Sequence, residues 1–411
     1  MRLLTLSSNG LKGRRFNGYD LHTKLKEFGV ESAHVSFWDY ADTSREPWHH
    51  NAKPKVTPGW FVDKVRRLEE KTGRQNTFQF WSSRITRSKV FKSADVVHLN
   101  IVHDHWMRLE DILEIASKKP VVWTWHDLFM VTGHCIQPGT CTRWSEGCGE
   151  CPDLGRPLSV ESDRTASQYK RKTKLLANLN LDVHVTTNWM AKAVESRLSD
   201  SPVRLHRFPF GFSFHEFARV NKRDARRELG LDQDSFVVFA RATLDPIKNF
   251  IPLLQALSSH PLGTKIVVLG VGGPFPVDKV PSAVKTIIFP WVDEPGVLSQ
   301  MYSAADVFFQ ASLGESFGLM ALEAMWHGLP VLTQTGTATA EIVDESALEI
   351  RPLFFRQDLE SILTVGMNSP NIFDKFGSRA AERARTEFSE DRYHNSLVGL
   401  YEQAIERFQR L

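Results

Sequence analysis

No run of about 18 apolar residues occurs in the 411-residue sequence, so no helix is expected to span a membrane. The opening "MRLLTLSSNG" has too short an apolar stretch for a signal peptide. It reads instead as a first buried strand running into a Gly loop, and the expected location is cytoplasmic. Charge of one sign is also scarce. Lys and Arg total 51 against 48 Asp and Glu, a formal charge of +3, too little to argue for nucleic acid. There is no internal repeat of roughly 20–50 residues and no low-complexity tract, which excludes a solenoid. Cysteine is rare, four residues in all. What is present is a globular balance of 42% hydrophobic and 24% charged residues, with 11 Trp and 27 Phe for cores and binding surfaces. The length exceeds one ordinary core and predicts two domains.

Strand-like and helix-like segments alternate along the first half. "RLLTLSS", "ESAHVSFWD", "DVVHLNI", "PVVWTWHD" and "LDVHVTTN" are short apolar runs closed by turn residues. "YDLHTKLKEFG" has helical spacing and a Gly stop. The pattern starts again near residue 235 with "SFVVFARA", "TKIVVLGVGG", "TIIFPWV", "DVFFQAS" and "LPVLTQ" as strands. "NFIPLLQALSSH", "VLSQMYSAA" and "FGLMALEAMWHG" read as helices, and the stretch from Ser389 is amphipathic and helical. The expectation is α/β: two doubly wound Rossmann-like domains facing across a cleft, with ligands at the C-terminal strand ends.

"GESFGLMALEAMWHGLPVL" holds Glu315 and Glu323 eight positions apart. A helix starting near Ser316 would separate them by about 12 Å. Two carboxylates serving one glycosidic bond sit about 5–9.5 Å apart. The pair is therefore expected to grip different parts of one extended ligand. A helix N-terminus placed there would offer amides to a diphosphate.

This segment resembles the E-x7-E motif of retaining GT-B glycosyltransferases, in particular glycosyltransferase family 4. The likeness extends to "VDEPGVLSQMYSAADVFFQASLGESFG", "FARATLDPIKNF" and "TGTATAEIV". In the first half, "DVVHLNIVHDHW" and "KPVVWTWHDLFMVTGHC" resemble members from bacterial exopolysaccharide, colanic-acid-like and capsule clusters. The resemblance implies that Glu315 meets the donor sugar and reacting centre and that Glu323 holds the ribose. Ser316, Phe317 and Gly318 would offer backbone amides to the diphosphate, and Arg241 and Lys248 would neutralise it. His126 would reach the donor sugar as a second catalytic residue, with Asp127 orienting its ring. The first loop, "SSNGLKGRRFNGYD", carries Gly10 and Gly13 for donor contact, but without the tighter Gly-Gly usual in the family.

The implied domains are 1–207, acceptor-side, with a cysteine insertion at 134–152; 208–388, binding the nucleotide sugar; and 389–411, a C-terminal helix packing back on the first. The implied activity moves a hexosyl-type sugar from a UDP- or GDP-linked donor to a glycan acceptor, lipid-linked, in surface polysaccharide synthesis. Configuration is retained, and no cofactor is needed for catalysis. A sugar-nucleotide epimerase of the same architecture is the main alternative. A non-catalytic nucleotide-sugar or glycan-binding protein is the other.

Two further features stand out. Cys135, Cys141, Cys148 and Cys151 follow a C-x5-C-x6-C-x2-C spacing. The last pair has the form of a zinc-knuckle turn, and the expectations are a structural zinc or else disulfides or free thiols. From Lys53 to Lys92, 11 Lys and Arg meet only Asp63, Glu69 and Glu70, with Trp60, Phe61, Phe78, Phe80 and Trp81 interleaved. That composition suits peripheral contact with an anionic membrane, or else a solvated basic face over core aromatics.

Overall fold

The computed structural model describes residues 1–10, 16–38, 48–51, 59–261, 263–273 and 275–410. The chain forms two compact units. The first comprises Met1–Phe210 with Asp391–Leu411, and the second Gly211–Glu390.

The first unit is built on a parallel sheet of β1 (Arg2–Ser7), β2 (Glu31–Ser36), β3 (His49–Asn51), β4 (Val96–Leu99), β5 (Val121–Thr124), β6 (Asp182–Val185) and β7 (Arg204–Arg207). Its strand order is β3-β2-β1-β4-β5-β6-β7. β4, β5 and β6 are buried at every position, as strands covered by helices on both faces must be. The second unit has β8 (Phe236–Ala242), β9 (Ile266–Gly272), β10 (Lys285–Phe289), β11 (Val307–Gln310), β12 (Val331–Gln334) and β13 (Ala347–Ile350), in the order β10-β9-β8-β11-β12-β13. In each sheet the winding reverses beside the first strand, between β1 and β4 and between β8 and β11. A crevice opens at such a switch point, beyond the C-terminal strand ends.

The C-terminal helix Glu390–Gln409 belongs to the first unit by its contacts. Its Arg407 binds Asp182 of β6 at 2.5 Å. Its Tyr401 enters a buried relay in the sheet. His184 Nε2 lies 2.8 Å from the Phe208 carbonyl and must donate to it. His184 Nδ1 is then the acceptor of the Thr124 hydroxyl at 3.1 Å. Thr124 in turn accepts from His98 Nε2 at 2.8 Å, and His98 Nδ1 accepts from Tyr401 Oη at 2.7 Å. Every member is satisfied only if both histidines are neutral. Burial enforces this, pushing His98 well below its usual pKa and His184 down to about 3.

Candidate functional site

In the second unit the expected donor residues gather at the switch point. β8 pairs with β11 through Val238–Val307, Phe239–Phe308 and Ala240–Phe309. The next residues along the two strands are Arg241 and Gln310. Arg241 is exposed, with its guanidinium 5.4 Å from the centre of the Trp291 ring. A turn after β8 carries Pro246–Lys248 and ends on Asn249, which has a φ of 55°. The Asn249 amide donates to the Ala311 carbonyl at 2.7 Å and ties this turn to the loop after β11. Lys248 Nζ thereby reaches Glu315 Oε2 at 2.7 Å. Both side chains are only partly exposed, 16% and 22%, so the attraction is less screened than at an open surface.

Gln310 Nε2 lies 3.4 Å from Glu315 Oε2 and 3.3 Å from Thr339 Oγ1, bracing the carboxylate from the strand end. Gly318 is required here twice over. Its φ is 104°, and a Cβ would sit 3.1 Å from both Gln310 Nε2 and Thr339 Oγ1. The helix expected from Ser316 in fact begins at Leu319, with Gly318 as its N-cap. Glu315, Ser316 and Phe317 thus lie in the preceding loop, because Gly318 is left-handed and interrupts helical geometry. Phe317 is 2% exposed and packs edge-on against Phe388.

Glu323 is on the helix Leu319–Trp326 and is 3% exposed. Its Oε2 accepts from the Tyr302 hydroxyl at 2.7 Å. The two glutamates therefore differ in kind: one in a loop against a lysine, one inside the helix packing against a phenol. The twelve-ångström estimate assumed a common helix and does not apply.

In the first unit, Gly10 is buried just beyond β1, and its carbonyl accepts from Asn17 Nδ2 at 2.7 Å. Gly13 lies outside the described residues. His126 follows β5, stacked on Phe210 with ring centres 5.7 Å apart. Its Nε2 bonds Asn100 Oδ1 at 3.0 Å. Burial lowers its pKa to about 4, against a raising pull from Asp127, so the ring is neutral near pH 7. Asp127 does not orient His126, as the sequence suggested. It accepts from His103 Nε2 at 2.7 Å and from the Phe129 amide at 2.8 Å. Burial raises the Asp127 pKa, but these partners outweigh it and leave the carboxyl below its ordinary range. Gly18, with a φ of 86°, leaves room for Asn100: a Cβ there would stand 2.7 Å from Asn100 Nδ2.

Several of these residues escaped the sequence reading: Gln310, Thr339, Tyr302 and Trp291 in one unit, Asn100 and His103 in the other. Gln310 and Asn100 had a signal, each being a polar residue at the end of an apolar strand. The others touch the site from distant segments.

The four cysteines are free thiols, all partly buried. Among the described residues, no three His, Cys, Asp or Glu side chains surround one point as metal ligands. Of the basic stretch, residues 52–58 lie outside the described residues. The helix Gly59–Thr72 exposes Trp60 at 59% and Leu68 at 46%, and Phe80 is 50% exposed nearby in the chain. Trp81, by contrast, is buried in the core, stacked on Phe37 at 5.6 Å. Among the described residues no helix is long and apolar enough to cross a membrane.

Residues 221–347 match the family described as glycosyl transferases group 1. Over 99% of this chain and 100% of that one, the structure resembles sucrose-phosphate synthase from Thermosynechococcus elongatus, with a TM-score of 0.72 at 17% identity. HepE of Anabaena, solved with UDP and glucose, matches over 100% of both chains with a TM-score of 0.62 at 16% identity. The fold is GT-B, with two Rossmann-like domains, and the second carries the match to the glycosyl transferases group 1 family. Among particular relatives, a protein described as a colanic acid biosynthesis glycosyl transferase, WcaC of Escherichia coli, is 32% identical over 172 residues. That alignment spans 39% of this chain and 41% of WcaC. D-inositol 3-phosphate glycosyltransferase of Actinosynnema mirum is 26% identical over 331 residues, 76% of this chain and 74% of that protein.

Proposed function

We propose that the protein is a retaining glycosyltransferase that takes a hexosyl-type sugar from a nucleoside-diphosphate donor and passes it to a glycan acceptor in surface polysaccharide synthesis. The observation that carries this is the grouping of Arg241, Lys248 and Glu315 at the β8/β11 switch point, with Glu315 bonded to Lys248 at 2.7 Å. A lysine paired with a carboxylate, with an exposed arginine at the end of the adjacent strand β8, suits a diphosphate, which gains charge as it leaves. UDP and UDP-glucose in the HepE structures favour a nucleotide sugar, and the likeness to WcaC favours a polysaccharide product.

In this reading the donor phosphates compete for Lys248, and Glu315 is freed to accept from sugar hydroxyls. The bond from the anomeric carbon to the phosphate oxygen breaks. The acceptor oxygen bonds to the same face and loses its proton to the departing phosphate, so no protein base is required. Ser316, Phe317 and Gly318 present backbone amides from the loop, and Glu323 fixes the ribose. The catalytic role given to His126 rests on the resemblance of "TWHD" to the family, as does the absence of any metal requirement at the reacting centre.

Replacing Glu315 with Ala is expected to lower kcat by about 10²–10³-fold. Glu323→Ala is expected mainly to weaken donor binding. Product formation from a panel of UDP- and GDP-sugars checks both, and full turnover in both variants would refute the reading. A lipid-linked acceptor is favoured by exposed Trp60, Leu68 and Phe80 among Lys64, Arg67, Lys71 and Arg84. Flotation with anionic vesicles tests this, with loss of binding expected when these four cations are replaced by Gln.

A further inference from the structure

The strand ends of the first unit hold polar groups that the proposed transfer does not use. Asn100 follows β4, and Trp125 and Asp127 follow β5. Together with His103 they line one small cavity of about 10 Å³, room for a single hydroxyl or water. Asn100 and Trp125 are each 3% exposed. Asn100 Nδ2, Trp125 Nε1 and His103 Nδ1 are buried and meet no hydrogen-bond partner among the described residues. A buried donor or acceptor left unmatched is costly, so three around one cavity call for an occupant.

The chemistry of each group sets its role. His126 Nε2 lies 3.0 Å from Asn100 Oδ1 and donates to it, which leaves the Asn100 amide nitrogen as a donor. An indole Nε1 can only donate. The Asp127 carboxylate can only accept, so His103 Nε2 carries the proton of their 2.7 Å bond. In the neutral ring Nδ1 is then a bare lone pair. The Phe129 amide holds the other oxygen of Asp127 at 2.8 Å, and the Phe129 ring meets the imidazole edge-on at 5.0 Å. Beyond His103 the backbone is left-handed at two non-glycine residues, with φ of 74° at Asp104 and 57° at His105. Such residues persist only where their surroundings hold them. Trp38 Nε1 donates to the Asp104 carbonyl at 2.8 Å, and His105 Nδ1 is bonded to Glu69 Oε2 at 2.7 Å. The side chains of His103 and Asp127 are each 14% exposed, so a ligand can reach the pair from solvent.

Two donors and one acceptor are the complement of a hydroxyl, which accepts twice and donates once. A phosphate or carboxylate would set its own lone pairs against that of His103, and an ammonium would leave both donors unmatched. We infer that Asn100, Trp125 and the His103–Asp127 pair form a hydroxyl-binding subsite in the first unit and, on the reading of the chain as a transferase to a glycan, that the hydroxyl belongs to the acceptor. The hydroxyl proton points at His103 Nδ1. Asp127 holds the Nε2 proton on the far side of the ring and so keeps the lone pair turned to the ligand. The pair orients the acceptor and does not take its proton. Water matches the same three groups and is the competing occupant.

The test needs no transfer assay. Saturation-transfer NMR is run on the full chain with the methyl glycosides of glucose, galactose, mannose and N-acetylglucosamine, with UDP or GDP present in excess. At least one glycoside is expected to bind. Removing one particular hydroxyl from that glycoside should weaken binding to the wild type about 10-fold, the effect of one lost hydrogen bond. His103→Phe should weaken the parent glycoside as much, and the deoxy analogue should lose nothing further. A merely structural role for His103 would weaken both ligands alike, and that result would overturn the inference. His103→Asn, whose Oδ1 can stand near the place of Nδ1, should recover part of the affinity. No glycoside binding, or deoxy analogues that bind as well as the parent at every position, would leave water as the sole occupant and overturn it too. If His103→Phe does not fold, the wild-type deoxy series decides alone. UDP and GDP binding reports on the second unit separately. Failure of both nucleotides to bind defeats the proposed transfer, whereas failure of the glycosides alone defeats only the subsite.

Discussion

The two sheets share a strand order at their switch points but end in opposite chemistry. In the first unit, β4 and β5 lead into Asn100, His103, His126 and Asp127, packed with aromatic rings and closed by hydrogen bonds. In the second, β8 and β11 lead into Arg241, Lys248 and Glu315, where charge is only partly shielded. Topology provides the place, and the residues after each strand decide what that place can bind. The same contrast runs through the interiors. Burial lowers His22, His34, His98, His126, His134 and His184 in the first unit, against His327 in the second.

Acid should separate the units most strongly. Each such histidine is neutral when folded and takes up a proton when unfolded, once pH falls below its ordinary value of about 6.5. The stability held at neutral pH is therefore lost progressively between that value and the folded value, about 3 for His22 and His184. The expected slope is about 1.4 kcal/mol per pH unit for each. Hydrogen exchange from pH 7 to 5 should show the first unit opening ahead of the second; equal loss in both would break the comparison.

A smaller effect is expected from Gly318→Ala. The left-handed φ and the contacts with Gln310 and Thr339 should cost about 1–3 kcal/mol, read as a lowered Tm, with donor affinity falling because Glu315 loses its brace. Its counterpart in the first unit is Tyr401→Phe, which leaves His98 Nδ1 buried without a donor. That loss should be about 1–2 kcal/mol in chemical denaturation, with donor binding unchanged. If Tyr401→Phe weakened donor binding as much as Gly318→Ala, the two sets of residues would not be independent.

Much of this architecture was legible from the chain. Apolar runs located β1, β4, β5, β6, β8, β9, β11 and β12, because strands covered on both faces are largely apolar, and shorter apolar stretches also located β2 and the edge strand β10. The strands that escaped, β3, β7 and β13, are all at sheet edges. One side of an edge strand lacks a neighbour, so "HHN", "RLHR" and "ALEI" need no apolar run and leave none to find. The glutamates, Arg241, Lys248 and His126 were visible because each lies in a contiguous segment that resembles a family motif, at or just beyond a strand end for Arg241, Lys248, Glu315 and His126 and within the following helix for Glu323.

The sequence by itself determined the two-unit α/β plan, the resemblance to GT-B glycosyltransferases and the residue types available for a diphosphate. Those follow from local periodicity and from motifs contiguous in the chain. Only the tertiary structure decided that Glu315 sits in a loop against Lys248 while Glu323 is buried against Tyr302. It also decided that Asp127 serves His103. These pairings join residues 20 to 70 positions apart, and local spacing carries no information about partners that meet only when separate strands align.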